Sequence, residues 1–217
     1  MRKVIVATVF ALPTALISMP ADACLHGVQE EVNWRVRVLV RAEKNLRRGR
    51  YARAAKFALR AYPGIRRVKA FKRSRRARLV RRAARLMAMA AIRKNGKLRM
   101  GSLWKGRTKA QRLDNLRWST AILQQLIKRR PNDPQLKTNL AEGLARIPGQ
   151  QDAAYEILAK LGKRDLVAGA HGYATLARLR KQRGDDAGAL AAVRRCRKMT
   201  RNAKICRQAP IKIAMIN

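Results

Sequence analysis

The sequence predicts an all-α protein built from antiparallel αα-hairpins, about four helix pairs in all. Apolar residues recur at intervals of three and four through most of the chain, and no stretch shows the period-two alternation typical of a β-strand. Glycine and proline interrupt this pattern often, so the connections between predicted helices are short. Helices joined by short connections pack as antiparallel neighbours, which predicts the hairpins.

The first half of the chain contains four predicted helices, each followed by a glycine or a proline that ends it. The first begins with the apolar series from Val28, and the second carries a face of small residues near Ala54. The predicted segments cover 28–46, a helix around 54–59 that stops at Pro63, 75–94 that stops at Gly96, and 109–130 that stops at Pro131.

Four more helices are predicted in the second half, over 135–147, 152–161, 166–183 and 185–199. Two of them begin with an acid, Asp152 and Asp185, and bases lie near several helix ends. Acids near helix starts and bases near helix ends are stabilised by the helix dipole, which supports these boundaries.

The spacing of four glycines predicts a repeat. Gly49, Gly96, Gly149 and Gly184 each lie between the two helices of a pair, at intervals of 47, 53 and 35 residues. The last interval is close to the period of about 34 residues found in tetratricopeptide solenoids.

The chain resembles the tetratricopeptide repeat (TPR) family in its residues as well as its spacing. The match is strongest over 172–196, where large, aliphatic and small residues follow the family pattern across two helices and their turn. The residues that carry the resemblance there are Tyr173, Leu176, Ala177, Gly184, Ala189, Val193 and Cys196. Weaker matches are Gly49-Arg50-Tyr51 with Ala54 and Ala58, preceded by Ala42, and Ser119, Leu123, Leu126 and Pro131.

The resemblance implies a short TPR-like superhelix over 24–208, with 97–108 as an inserted loop and 209–217 as a C-terminal tail. Ala42, Ala54, Ala177 and Ala189 are then expected where paired helices cross, because a larger side chain there would overpack the joint. The inserted loop, the loose fit of 150–161 and the early Pro63 depart from the family pattern. The alternative is a generic bundle of alanine-rich amphipathic helices.

The first 23 residues are predicted to be a cleavable secretory signal. Arg2 and Lys3 precede an uncharged apolar run over 4–17, and an Ala-x-Ala triplet ends at Ala23. The run is shorter than a membrane-spanning helix and is interrupted by Pro13. We therefore expect export to a bacterial periplasm or cell envelope. A lipoprotein acylated at Cys24 is a less favoured alternative, and a buried N-terminal helix is another.

Export permits disulfides, and Cys196 and Cys206 lie ten residues apart near the C-terminus. We predict that they pair, with two small buried thiols as the alternative.

Positive charge is concentrated in the first half of the chain. The formal net charge is +40, and residues 44–112 contain 26 Lys and Arg and no acid. Four arginines spaced along one predicted helix form a candidate anion-binding stripe: Arg75, Arg78, Arg82 and Arg85. An alternative function is therefore the binding of an anionic polymer through the basic region 44–112, namely an envelope polysaccharide, lipid headgroups or, less favoured, nucleic acid. The alternative is a solvated basic face without a ligand.

The inventory of reactive residues argues against an enzyme. His26 and His171 are the only histidines, and neither lies in a metal-binding or catalytic motif. His171 is most simply a surface polar residue, and the paired acids at helix starts have a capping role. We expect no cofactor, no metal and no small-molecule substrate.

The predicted function is a non-catalytic protein–protein interaction scaffold. The resemblance implies a concave groove lined by the first helix of each pair, and bases there would favour an acidic segment of another protein. The candidate groove residues are His171, Arg178, Lys181, Arg47, Arg93, Lys94 and Arg146. Trp104, in the inserted loop, either anchors an interface or folds back onto the helices.

Overall fold

The all-α prediction is confirmed. The computed structural model describes residues 22–68 and 75–207, and regular structure within these ranges is helical except for one isolated bridge between Met100 and Trp104. The helices are α1 (Asp22–Arg47), α2 (Tyr51–Ala61), α3 (Arg75–Arg93), α4 (Lys109–Arg129), α5 (Pro134–Leu144), α6 (Gln151–Lys163), α7 (Gly169–Gln182), α8 (Asp186–Met199) and α9 (Ala203–Cys206), with a 3₁₀ turn at Ile65–Arg67.

The chain divides into two compact units, residues 1–34 and 35–217. The predicted leader, 1–23, lies outside the described residues except for Asp22 and Ala23, which begin α1. The predicted tail, 209–217, also lies outside them. None of the described helices is both long enough and apolar enough to cross a membrane. The features below belong to the second unit.

Each helix from α2 to α8 packs against the next one along the chain. In addition, α5 contacts both α3 and α7, although these helices are separated by other helices in the sequence. The helices α3, α5 and α7 are the predicted first helices of successive pairs. Their packing brings one face of each to a shared surface.

Four alanines predicted at helix crossings are completely buried: Ala42, Ala54, Ala177 and Ala189. A side chain of this size lets two helix backbones approach closely, and the buried sites leave little space for a larger group. These alanines are thus buried, and their place at helix crossings stays a prediction.

The turn after α3 shows why glycine is required between paired helices. Gly96 has a φ of 73°, a left-handed conformation that residues with a Cβ rarely adopt. A Cβ at this position would also lie 2.3 Å from the carbonyl oxygen of Arg112. The Gly96 amide donates to the Ala91 carbonyl at 2.8 Å, which closes the end of the helix.

The inserted segment over 97–108 folds back onto the helices. Trp104 is 1% exposed and packs edge-to-face on Trp118 of α4, with ring centroids 4.9 Å apart. The guanidinium of Arg66 lies 4.6 Å from the Trp104 ring centroid and 5.3 Å from that of Trp118. Asn115 donates to the Gly96 carbonyl at 2.8 Å. Trp104 is therefore a core residue, and its alternative as an exposed interface anchor is wrong.

Cys196 and Cys206 are bonded to each other in the structure, with their Cα atoms 5.8 Å apart. The bond joins α8 to the short α9, which also packs against α7.

Candidate binding groove

The shared surface of α3, α5 and α7 carries a group of polar residues that we call the inner cluster. The inner cluster also includes the first residue of α2. The cluster consists of Tyr51, Arg93, Glu142, Arg146, His171 and Arg178.

A buried ion pair lies at the centre of the inner cluster. Glu142 is completely buried in α5, and its Oε2 is 3.3 Å from Nε of Arg93 at the end of α3. The second carboxylate oxygen is 3.5 Å from Nη2 of the same arginine. A buried carboxylate is strongly disfavoured unless it is paired, so this contact ties α3 to α5.

Two further arginines in the inner cluster are held by neutral groups. Nη1 of Arg146 donates to the Glu142 carbonyl at 2.9 Å, and Nη2 of Arg178 donates to the Ala145 carbonyl at 3.0 Å. Burial lowers the pKa of both guanidinium groups. Since the acceptors are carbonyl oxygens, these bonds orient the side chains without neutralising their charge.

The remaining pair in the inner cluster links α7 to α2. Nε2 of His171 and the hydroxyl of Tyr51 are hydrogen-bonded at 3.0 Å. Burial, followed by the positive charges of Arg93 and Arg146, lowers the pKa of His171 to about 3. The imidazole is therefore neutral near pH 7, and the inner cluster sets three guanidinium groups against one carboxylate.

An open depression of about 710 Å³ lies beside the inner cluster. Tyr51 and Arg93 belong to both, and the exposed side chains of Arg50, Arg53 and Lys94 also line the depression. A solute that enters it meets four cationic side chains, of which Arg93 is already fixed by Glu142.

The structure brings most of the predicted groove residues together. Arg93, Arg146, His171 and Arg178 lie in the inner cluster, and Lys94 lines the depression. Lys181 instead forms an exposed ion pair with Asp186, and Arg47 is exposed at the end of α1.

The expectation that His171 is a simple surface residue is wrong, because its ring is half-buried and bonded to Tyr51. Sequence reasoning also missed Tyr51 and Glu142 as members of the site. Glu142 carried a usable signal, since a lone acid within the apolar series Leu140-Ala141-Glu142-Gly143-Leu144 is expected to need a buried partner.

The predicted anion-binding stripe on α3 is not uniform. Arg78 is exposed, whereas Arg82 donates two bonds to the Glu43 carboxylate, at 2.7 and 2.8 Å. Arg85 is half-buried, and burial lowers its pKa. The side chain of Arg75 lies outside the described set. Arg82 therefore already forms a salt bridge with an acid from α1.

In the part of the chain that the structure describes, no group of three or more His, Cys, Asp or Glu residues could hold a metal ion. No family model, curated protein or solved structure matches the chain.

Proposed function

We propose that this chain is an exported, non-catalytic scaffold of TPR type that binds an acidic segment of another protein. The binding site is the inner cluster together with the adjacent depression. The observation that carries the proposal is the convergence of Arg93 of α3, Arg146 of the turn after α5 and Arg178 of α7 in one cluster that contains a single carboxylate.

An acidic segment fits this site for electrostatic reasons. Three guanidinium groups face one carboxylate in a half-buried setting, where charges interact more strongly than in bulk water. Arginine binds carboxylates through two parallel hydrogen bonds, which favours Asp and Glu side chains as ligands. Because Arg146 and Arg178 are already oriented by carbonyls and Arg93 by the Glu142 carboxylate, little side-chain entropy is lost on binding.

The repeat architecture is supported by turn conformations and helix contacts that recur along the chain. The turns at Gly49, Gly96, Gly149 and Gly184 all have φ values between 72° and 77°. The contacts of α5 with α3 and α7 are those expected when first helices stack side by side. Stacked hairpins present such a row of helices as a binding surface.

Export is supported by the predicted leader and by the bonded cysteines. The Cys196–Cys206 pair suits an oxidising compartment such as a bacterial periplasm. Acylation at Cys24 remains the less favoured form of the same proposal.

The proposal is tested by binding of a labelled glutamate-rich peptide, measured by fluorescence anisotropy. The variant R50E/R53E/K94E reverses three exposed charges in the depression without touching the buried ion pair. We expect it to weaken peptide binding by more than about tenfold, equivalent to about 1.4 kcal/mol.

A matched control carries K160E/R194E/R197E, which reverses three exposed bases on α6 and α8. It has the same net charge as the groove variant, so non-specific attraction falls equally in both. An equal loss of binding in the two variants would show that the groove is not the site.

A further inference from the structure

The exposed side of α1 carries a row of basic residues that the groove does not use. Arg37, Arg41 and Lys44 lie in α1 at intervals of four and three residues. Arg48 follows four residues later, and its amide donates to the Lys44 carbonyl at 3.2 Å, so the helical spacing continues into the turn. Intervals of three and four place side chains on one side of a helix. We call this row, together with Val40 beside it, the basic ridge.

The other sides of α1 are fixed to the rest of the protein. Leu39 and Ala42 are completely buried, and Glu43 accepts two hydrogen bonds from Arg82 of α3, at 2.7 and 2.8 Å. These contacts hold α1 in one orientation, with the basic ridge towards the solvent. All four bases of the ridge are exposed, and Val40 is 45% exposed.

The charges of the basic ridge are not offset by acids. Within residues 22–68 and 75–207, none of its four bases forms an ion pair or a side-chain hydrogen bond. Glu43 is the only acid among residues 35–50, and its carboxylate is bound by Arg82. Exposed acids elsewhere pair with other bases, as Asp152 does with Arg183. Four positive charges therefore lie along about 16 Å of exposed helix.

We propose that the basic ridge binds the surface of a membrane that contains anionic lipids. Near such a surface each Lys or Arg strengthens attachment by about fivefold, and the contributions of neighbouring bases add. A straight row on a convex helix can bring all four bases to a flat surface at once. Because lipids move within a leaflet, their anionic headgroups can gather at the bases without a matching spacing.

Val40 favours a membrane over a soluble anionic polymer as the ligand. This apolar side chain lies among the bases of the ridge and is nearly half exposed. Helices that bind at a membrane interface combine basic residues with apolar ones that reach below the headgroups. A polymer dissolved in water offers no such apolar layer. Single-stranded nucleic acids also bind through bases stacked on aromatic rings, and residues 37–48 include no aromatic residue.

The basic ridge is separate from the proposed groove. It shares no residue with the inner cluster or with the depression. Membrane binding by the ridge needs neither an acidic partner protein nor a charged groove. Peptide binding and vesicle binding are tested with different variants, so either proposal can fail alone.

The first test is co-sedimentation of the full chain with vesicles of phosphatidylcholine and phosphatidylglycerol. The ridge variant R37Q/R41Q/K44Q/R48Q removes the four charges. The control K160Q/R164Q/R194Q/R197Q removes the same number from exposed positions on α6, directly after it and on α8. We expect the ridge variant to bind the vesicles more than about tenfold more weakly than the control. Circular dichroism of each variant verifies that the helices are retained.

The second test reports contact with the membrane directly. V40W introduces an indole into the basic ridge, and the control A191W introduces one at an exposed position on α8. Tryptophan favours the membrane interface, and its fluorescence moves to shorter wavelengths when the indole leaves water. We expect this shift for V40W when the anionic vesicles are added, in comparison with the unaltered chain, and no shift for A191W.

The proposal is overturned if the ridge variant and its control bind the vesicles equally, since attachment would then be general electrostatics. It is also overturned if the emission of V40W does not shift, or shifts no more than that of A191W. A third contrary result is that binding of alginate or of a short DNA duplex depends on the ridge while vesicle binding does not.

Discussion

Among single residues, Glu142 has the largest structural role in the inner cluster. It is completely buried and pairs with Arg93, while its backbone carbonyl accepts from Arg146. Glu142 thus positions two of the three arginines, Arg93 and Arg146. Its carboxylate neutralises the charge of Arg93 alone. Such an arrangement leaves the groove positively charged and at the same time keeps its arginines in fixed orientations.

His171 makes the stability of the protein depend on pH. The pKa of His171 is about 3 in the folded protein, against 6.5 in an unstructured chain. Between these values the unfolded chain binds a proton that the folded protein excludes, so stability falls as the pH falls from 6.5 towards 3. The slope from this residue is at most about 1.4 kcal/mol per pH unit.

We therefore expect H171Q to reduce the pH dependence of the free energy of unfolding between pH 6.5 and 4. Urea titrations at several pH values measure it for the variant and for the unaltered protein. The variant Y51F is the control, because it loses the hydrogen bond but keeps the buried imidazole and should keep the slope. Identical slopes for H171Q and the unaltered protein would contradict a buried, neutral histidine.

The contacts of His171 also mark the limit of prediction from sequence at this scale. Spacing along α7 placed His171 and Arg178 on one helix face, and the structure brings both into the inner cluster. The bond to Tyr51 joins residues 120 positions apart. It depends on where the helices between α2 and α7 place these two elements, which the local pattern does not encode.

Among the helices, the predicted and the observed boundaries agree where the sequence carries a local signal such as a capping motif. The prediction of 109–130 matches α4 closely, because Thr108 and Gln111 form a capping box at its start. The predicted end of the next helix, residue 147, is three residues beyond the observed end of α5 at Leu144. At this point the amides of Arg146 and Ile147 donate to the carbonyls of Gly143 and Leu144, three residues back. This is the bonding of a 3₁₀ turn, so the α-helix ends although the apolar pattern of the sequence continues.

The close packing of the two helices within one pair can be tested at the joint between α7 and α8. Ala177 in α7 is completely buried, and α7 packs against α8. We expect A177L to lower the free energy of unfolding by about 1–3 kcal/mol, because the added atoms force the two helices apart.

Urea denaturation of A177L compared with A191L measures this effect. Ala191 is exposed on α8, so the same change there adds no volume to the joint and should alter stability by less than about 0.5 kcal/mol. Equal effects at the two positions would mean that α7 and α8 are not held by a close alanine joint.

For the molecule as a whole, charge is the dominant feature. The formal net charge is +40 over 217 residues, and acids offset it only locally, as in the contacts of Glu43 with Arg82 and Glu142 with Arg93. A charge of this size opposes folding through self-repulsion, since the compact state brings like charges closer together. The inner cluster sets three guanidinium groups against one carboxylate, so an anion bound in the groove would also stabilise the fold.

Stability should therefore increase with ionic strength. The Debye length falls from about 30 Å at 0.01 M to about 3 Å at 1 M salt, which removes most repulsion between exposed charges. The buried pair of Glu142 and Arg93 is screened much less, so little attraction is lost in exchange. We expect the midpoint temperature of unfolding to rise steadily with sodium chloride, as followed by circular dichroism. The variant K160Q/R194Q/R197Q has three fewer positive charges and should be more stable at low salt, with a smaller rise. A midpoint that stays constant or falls with added salt would mean that repulsion does not limit the stability of this fold.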